Sequence, residues 1–171
     1  LSEEYYLDNK IHRPIEEGPA RIRYFSGKDK IISGEAYCLN GYAHRPIEEG
    51  PAAIEYFKDG SIRSKGFWLN GKHQKIENGP SFISFYENGN KNTEFYYVDG
   101  IMNRPAEEGP AKILYHKNGK IRYEEYYLNN NLHRPIEKGP AVTEYYENGT
   151  IKKEKYYLEG KRIKNIVTPR I

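Results

Sequence analysis

The side chains able to do chemistry in this chain of 171 residues recur along it instead of gathering in one place. Paired carboxylates stand at Glu16-Glu17, Glu48-Glu49 and Glu107-Glu108, imidazoles at His12, His44, His73 and His133, and a single thiol at Cys38. Two carboxylates act as general acid and general base only when one pocket gives them different environments, and a pair that returns once per repeat meets much the same surroundings each time. No catalytic residue is expected, and the chain reads as a non-enzyme. The structural role left for these acids is to pair with Arg13, Arg45, Arg104 and Arg134, three or four positions earlier, at roughly 0–1 kcal/mol per exposed pair.

The imidazoles form a column, and equivalent positions two strands apart are separated by roughly 9.6 Å. Ligands of one zinc sit about 2.0–2.1 Å from the metal, so a column at that spacing cannot share an ion. Neither metal nor cofactor is expected. Cys38 replaces an aromatic of its unit and reads as a small apolar packing residue on the core face. The Gly-Lys pairs at Gly71, Gly119 and Gly160 lack the spaced glycines and the hydroxyl residue of a phosphate loop, and read as turns. What stands out is an aromatic ladder of Tyr37, Phe67, Tyr96, Tyr126 and Tyr156. Two roles stay open for it: a protein-contact surface, or a face covered by the connections between units with Ile15, Ile47, Ile76 and Ile136 as lids.

Composition bounds what could hold these residues in place. Only 37% of the chain is apolar, but 17 tyrosines and a net charge of +3, from 27 basic against 24 acidic residues, argue against disorder. No long apolar run could form a membrane-spanning helix, and the charged opening Leu1-Ser2-Glu3-Glu4 does not read as a secretory signal. One cysteine cannot form an internal disulfide, which favours a reducing compartment, cytoplasmic or virion-associated. Basic and acidic residues are interspersed, so no nucleic-acid footprint is expected.

The positioning elements come from repetition. Gly-Pro recurs at Gly18, Gly50, Gly79, Gly109 and Gly139, in steps of 32, 29, 30 and 30. Four copies keep a longer string: HRPIEEGPA from His12 and His44, NRPAEEGPA from Asn103, and HRPIEKGPA from His133. The third, HQKIENGPS from His73, departs from it. Between them runs an aromatic pair, then Leu or Val, then a turn residue, as in YCLNG from Tyr37, FWLNG from Phe67 and YYVDG from Tyr96. Residues 1–162 thus read as about five β-hairpin units of ~30 residues with half-units at the ends, and 163–171 as a capping strand or tail.

Each Gly-Pro-Ala string leads into alternating runs that read as strands, followed by turns such as Lys117-Asn118-Gly119. A three-residue loop closed by a left-handed glycine would pair Tyr115 with Ile121 and Ile113 with Tyr123. That register puts Ile22, Tyr24, Ile54, Tyr56, Ile62, Trp68, Ile83, Phe85, Tyr97, Ile113, Tyr115, Ile121, Tyr127, Tyr145, Ile151 and Tyr157 on a core face. The ladder then shares the other face with Glu55, Arg63, Lys65, Glu94, Arg122, Glu124, Glu144 and Glu154. The fold class expected is all-β: an elongated, twisted antiparallel meander of about eleven strands.

The aromatic strands ending in Leu69-Asn70-Gly71-Lys72-His73 and Leu128-Asn129-Asn130-Asn131-Leu132-His133, each followed by a glycine-led strand and an Asn-Gly hairpin, resemble the MORN repeat. The likeness is to the variant class of YwqK-type antitoxins and of repeat proteins in large DNA viruses, and covers Tyr5 to about Lys161. It implies a hairpin array serving as a scaffold or docking surface. The unit here is longer than the standard MORN repeat and uses Gly-Pro-Ala in place of Gly-x-Gly. Without a concentrated basic face, membrane lipid is the disfavoured partner. The expected function is a non-catalytic scaffold for protein–protein interaction or self-association. An antitoxin-like neutraliser and a carbohydrate- or choline-binding module are the alternatives.

Overall fold

A computed structural model describes residues 1–77 and 79–164. Twelve strands form one antiparallel sheet in which almost every neighbour in space is the next long strand in sequence. Ser2–Glu4 lies at one edge, and five long hairpins follow: Arg21–Tyr24 with Ile32–Ala36, Ala53–Tyr56 with Ile62–Gly66, Phe82–Phe85 with Lys91–Phe95, Lys112–Tyr115 with Ile121–Glu125, and Val142–Tyr145 with Ile151–Leu158. At about 4.8 Å per strand the sheet is roughly 50 Å across, the elongated meander expected. Among the described residues helix is limited to three 3₁₀ turns, Ile15–Glu17, Ile47–Glu49 and Ile136–Lys138. Of the expected cap 163–171, Ile163 closes the strand Lys161–Ile163, and 165–171 lie outside the described residues.

Each unit also builds a second, shorter hairpin. Tyr6–Leu7 with Lys10–Ile11, Cys38–Leu39 with Tyr42–Ala43, Trp68–Leu69 with Lys72–His73, Tyr97–Val98 with Ile101–Met102, and Tyr127–Leu128 with Asn131–Leu132 are separate two-stranded pieces. The end of Ile151–Leu158 pairs with Lys161–Ile163 in the same way. Their two-residue loops are type I′, with positive φ at both positions, as in Asn40 (52°) and Gly41 (86°). Backbone bonds tie each short hairpin to the next: Gly41 N–H donates to Ile11 C=O, Gly71 to Ala43, Gly100 to His73, Asn130 to Met102 and Gly160 to Leu132. The ribbon therefore has two parallel rows, long hairpins and short ones, in continuous chain contact.

Four of the five long-hairpin loops have the expected three residues, and the first, closed by Phe25 N–H on Ile31 C=O, has five. Gly119, at φ 84°, donates to His116 C=O, and Tyr115 faces Ile121. The rest of that register is corrected. A bulge opposite Tyr115 leaves Arg122 unpaired, so Ile113 faces Glu124 and Leu114 faces Tyr123. The same shift occurs in the other four long hairpins. One extra residue inverts the alternation of everything after it. Lys65, Glu94, Glu124, Glu154 and the ladder thus move onto the isoleucine face, while Trp68, Tyr97 and Tyr127 move to the opposite one.

The isoleucine face is consequently an alternation of apolar and ionic residues. Cross-strand partners run Glu3, Ile22, Glu35, Ile54, Lys65, Ile83, Glu94, Ile113, Glu124, Thr143 and Glu154. Three of these acids are answered by a tyrosine of the following hairpin: the hydroxyl of Tyr56 donates to Glu35 at 2.8 Å, Tyr115 to Glu94 at 2.6 Å and Tyr145 to Glu124 at 2.8 Å. Such bonds let Glu94 sit only 4% exposed. The third unit changes both partners together, with Lys65 in the acid's place and Phe85 in the tyrosine's.

Burial, with the Glu35 carboxylate beside it, pushes the Tyr56 hydroxyl up to about 12; burial and Glu124 do the same for Tyr145, and Tyr115 moves in the same direction. A raised tyrosine pKa contributes stability that is complete below pH about 10, the ordinary value, and is lost as pH climbs through the folded-state value. Urea unfolding of the chain should thus weaken between pH about 10 and about 12. The triple variant Tyr56→Phe, Tyr115→Phe, Tyr145→Phe should be less stable at neutral pH and show a flatter alkaline slope; an unchanged slope would show that these hydroxyls carry no linkage.

Candidate functional site

The ladder occupies the joint between the two rows. Tyr5, Tyr37, Phe67, Tyr96 and Tyr126 belong to neither strand of their units. Their N–H groups donate to Ala20, Ala52, Ser81, Ala111 and Ala141 C=O, and their carbonyls accept from His12, His44, Gln74, Asn103 and His133. The acceptor residues Ala20, Ala52, Ala111 and Ala141 are fully buried, and Ser81 is 1% exposed. Only small side chains, Ala or Ser, stand at this enclosed point of each repeat.

An arginine closes each joint. The guanidinium carbon of Arg13 lies 4.0 Å from the ring centre of Tyr5, Arg45 3.9 Å from Tyr37, Arg104 3.7 Å from Tyr96 and Arg134 3.9 Å from Tyr126. Each also donates through Nη1 to the carbonyl of the following Gly-Pro proline, Pro19, Pro51, Pro110 or Pro140, at 3.0–3.2 Å. The expected pairing with acids is thereby corrected. Among the described residues only Arg13 of these four has a carboxylate in reach, Glu17 at 3.9 Å, and the four Nε atoms are enclosed without a hydrogen-bonding partner. The paired acids stand exposed on the turn, where their spacing reflects the turn and not an ion pair.

The glycine of Gly-Pro is dictated by the same clamp. Gly18 has φ 109° and ψ −166°, and Gly50 and Gly139 have nearly the same values, a region essentially reserved for glycine. A Cβ there would also lie 3.3–3.5 Å from the arginine Nη1. Arg, Pro, Gly and Pro of the string are thus one device: a turn that carries a guanidinium back over its own ring.

Sequence-predicted site residues are not equivalent. Tyr126 is buried at 8% exposure; Tyr37, Tyr96, Phe67 and Tyr156 are half-buried. Tyr37, Tyr96 and Tyr126 each have one face under an arginine, whereas the third unit has no arginine. There the string is one residue shorter, Ile76 and Gly79 form an isolated bridge, and Ile76 Cδ1 lies where an added Gly79 Cβ would be only 3.2 Å away. An aliphatic plug on Phe67's unit thus stands in for a guanidinium on tyrosine.

The histidine column is also corrected. His12, His44 and His133 are equivalent, and each Nδ1 accepts from a turn N–H of the next short hairpin: Asn40, Asn70 and Glu159, all at 3.2 Å. His73 is one position earlier, because Gln74 takes the equivalent place. His73 instead stacks between Trp68, 4.2 Å between ring centres, and Tyr97, 4.6 Å and 11° from parallel. Burial lowers its pKa. Cys38 is buried, its thiol pKa raised by burial, and no group of three or more metal-binding side chains gathers among the described residues. Among the described residues no helix is long and apolar enough to cross a membrane.

Sequence reasoning missed an exposed aliphatic stripe. In each short hairpin the residue after the Tyr6/Trp68/Tyr97 position points to the opposite side. Leu7, Leu39, Leu69, Val98, Leu128 and Leu158 so form a row beside Lys10, Tyr42, Lys72, Ile101, Asn131 and Lys161. Leu7, Leu128 and Leu158 are 54%, 42% and 41% exposed, and Tyr42 61%. The signal for it was the constant Leu or Val before every turn. No family model matches the chain, and no curated protein matches it.

The clamp predicts a measurable coupling. Arg134→Lys should lower stability by about 1–2 kcal/mol, since an ammonium cannot lie flat on Tyr126 and reach Pro140 C=O together. A double-mutant cycle of Arg134→Ala and Tyr126→Leu in urea should return a coupling of about 0.5–2 kcal/mol. Additive effects would show that ring and guanidinium are neighbours without interaction.

Proposed function

We propose that this chain is a non-catalytic repeat scaffold that holds protein partners, or further copies of itself, along the outer side of its short-hairpin row. The observation that carries this reading is the aliphatic row from Leu7 to Leu158, one per short hairpin, which is exposed at Leu7, Leu128 and Leu158 and half-buried at Leu39, Leu69 and Val98, with Tyr42 and Ile101 exposed beside it. A solvent-facing apolar row of this length on a ribbon is the kind of surface that partners cover. The polar residues that recur with it, the arginines, histidines and Tyr–Glu pairs, are already engaged in joining repeats, which leaves them no role in chemistry on a substrate. The MORN-like reading agrees with this use, since hairpin arrays of that kind work through surface and not through a cleft.

Light scattering of the pure chain over a range of concentrations tests it. Mass should rise with concentration, and the variant Ile101→Lys, Leu128→Lys, Leu158→Lys should stay folded by circular dichroism and lose the association. A chain that is monomeric throughout, and that cross-linking in its native source attaches to no protein, would overturn the scaffold reading.

A further inference from the structure

The face opposite the ladder is not uniform along the ribbon. Over the first two long hairpins its cross-strand rows carry Gly34, Ala36, Ala53, Ser64 and Gly66, whereas over the last three the matching places hold the larger Phe82, Thr93, Phe95, Lys112, Tyr123, Glu125 and Val142. The small residues leave a hollow of about 370 Å³ with Ala36, Ala53 and Gly66 as its floor. Trp68 walls one end. Its indole lies over Gly66, where an added Cβ would meet the ring at 2.2 Å, so this glycine is required by the tryptophan.

Trp68 is one end of a row of three rings, tilted 36° from His73, which in turn stacks on Tyr97. His73 and then Tyr97 back it on the side away from the hollow, and His73 does not border the cavity. The neighbouring short hairpin carries Cys38 and Ala43 where others carry Tyr6, Tyr97 or Tyr127 and Ile11, Met102 or Leu132, so the space beside the indole stays open. Across the floor stand polar groups already oriented: Arg23 Nη2 is 3.0 Å from Glu55 Oε1, and the Ser64 hydroxyl donates to Glu55 Oε2 at 3.1 Å.

We propose that this hollow is a binding site for one neutral hydroxylated ring, a pyranose unit of a carbohydrate. A pyranose presents a face of polarised C–H groups, which suits the electron-rich face of an indole held rigid from behind. Its hydroxyls both donate and accept, which suits a guanidinium and a carboxylate side by side. Charge excludes the competitors. The two guanidinium groups that line the hollow are each paired with an acid, Arg21 with Glu4 at 2.8 Å and Arg23 with Glu55 at 3.0 Å, so neither an anion nor a cation is favoured, and a quaternary ammonium would meet two guanidinium groups on approach. The volume lies at the low end of ligand pockets, enough for a single ring.

Trp68 is the only tryptophan, so its fluorescence reports on the site directly. The full chain should be titrated with methyl pyranosides, with oligosaccharides built from them, and with choline. A saturable change with at least one pyranoside, in the millimolar range, is expected. Ala36→Leu, which fills the floor from the solvent side, should abolish it, and Glu55→Gln should weaken it about tenfold, one hydrogen bond to a charged group. Circular dichroism checks the fold of each variant, and should Ala36→Leu not fold, Glu55→Gln decides alone. No response to any sugar, a response unchanged in the variants, or a response to choline alone would each overturn the proposal. Association by the aliphatic stripe is read by light scattering and stands or falls separately.

Discussion

A guanidinium held flat between its own tyrosine and a proline carbonyl is the contact from which the rest of the ribbon follows. A single-layer sheet of stacked hairpins has no second layer to bury its joints, and each unit here must turn its chain from the long row to the short row and back. That path exposes backbone groups at the ladder residue and at Gly-Pro. The arginine satisfies the proline carbonyl, covers the ring and holds the 3₁₀ turn against the joint, so that Ala20, Ala52, Ala111 and Ala141 can be fully enclosed. Cation–ring contacts of this kind are worth about 0.5–1 kcal/mol when exposed and about 2 when desolvated, and the clamp recurs in four units. In a quasi-one-dimensional array such terms act locally, joint by joint, and not through a shared core.

The third unit shows what the clamp demands by doing without it. Four positions that are polar elsewhere change together: Phe67 for tyrosine on the ladder, Ile76 near Gly79 where the others bring arginine, Phe85 for the donor tyrosine, and Lys65 for the acceptor acid. Each pair is swapped as a pair. Removing one member alone would leave a buried donor or acceptor unmatched, at about 1–3 kcal/mol, whereas replacing both costs little. Covariation inside one chain thus identifies the interacting partners as well as a set of mutants would.

The repeat, the all-β class, the meander and the glycine-closed loop were legible in the sequence because each rests on local chemistry: fixed spacing, Gly and Pro punctuation, alternation. The assignment of faces was not. It depended on counting residues from Tyr115 onward, and one unpaired residue, Arg122, inverts the count without leaving any mark in composition. The arginine clamp was hidden for a related reason. Arg13 and Glu17 stand at a spacing that suggests an ion pair, but the partner ring, Tyr5, lies eight positions earlier, and only the short hairpin between them brings it back. His73 was misplaced because matching letters aligned it with His12, while the deletion that shortens the unit falls after Gln74. Strings locate repeats; hydrogen bonds locate equivalence.

That distinction bears on where function can reside in such a ribbon. Residues that recur from unit to unit are, by position, the ones that hold the array together: the histidine Nδ1 atoms that accept from the next turn, the arginines over the ladder, the tyrosines that donate to acids of the preceding hairpin. Their repetition is explained by the array and needs no ligand. Departures from the repeat are different, because a position that breaks the pattern gives up a contact its neighbours keep. Cys38, Ala43, Gly66 and Trp68 are departures of this sort. They fall within two adjacent units and jointly leave a space walled by a rigid ring, where the pattern residues would have packed it shut. The row of Leu7 to Leu158 is the complementary case, a repeated apolar feature exposed at Leu7, Leu128 and Leu158. On the reading proposed above, a recurrent apolar row suits an extended partner and a single irregular hollow a compact one, so the row of short hairpins and the sheet of long ones would take ligands of different size.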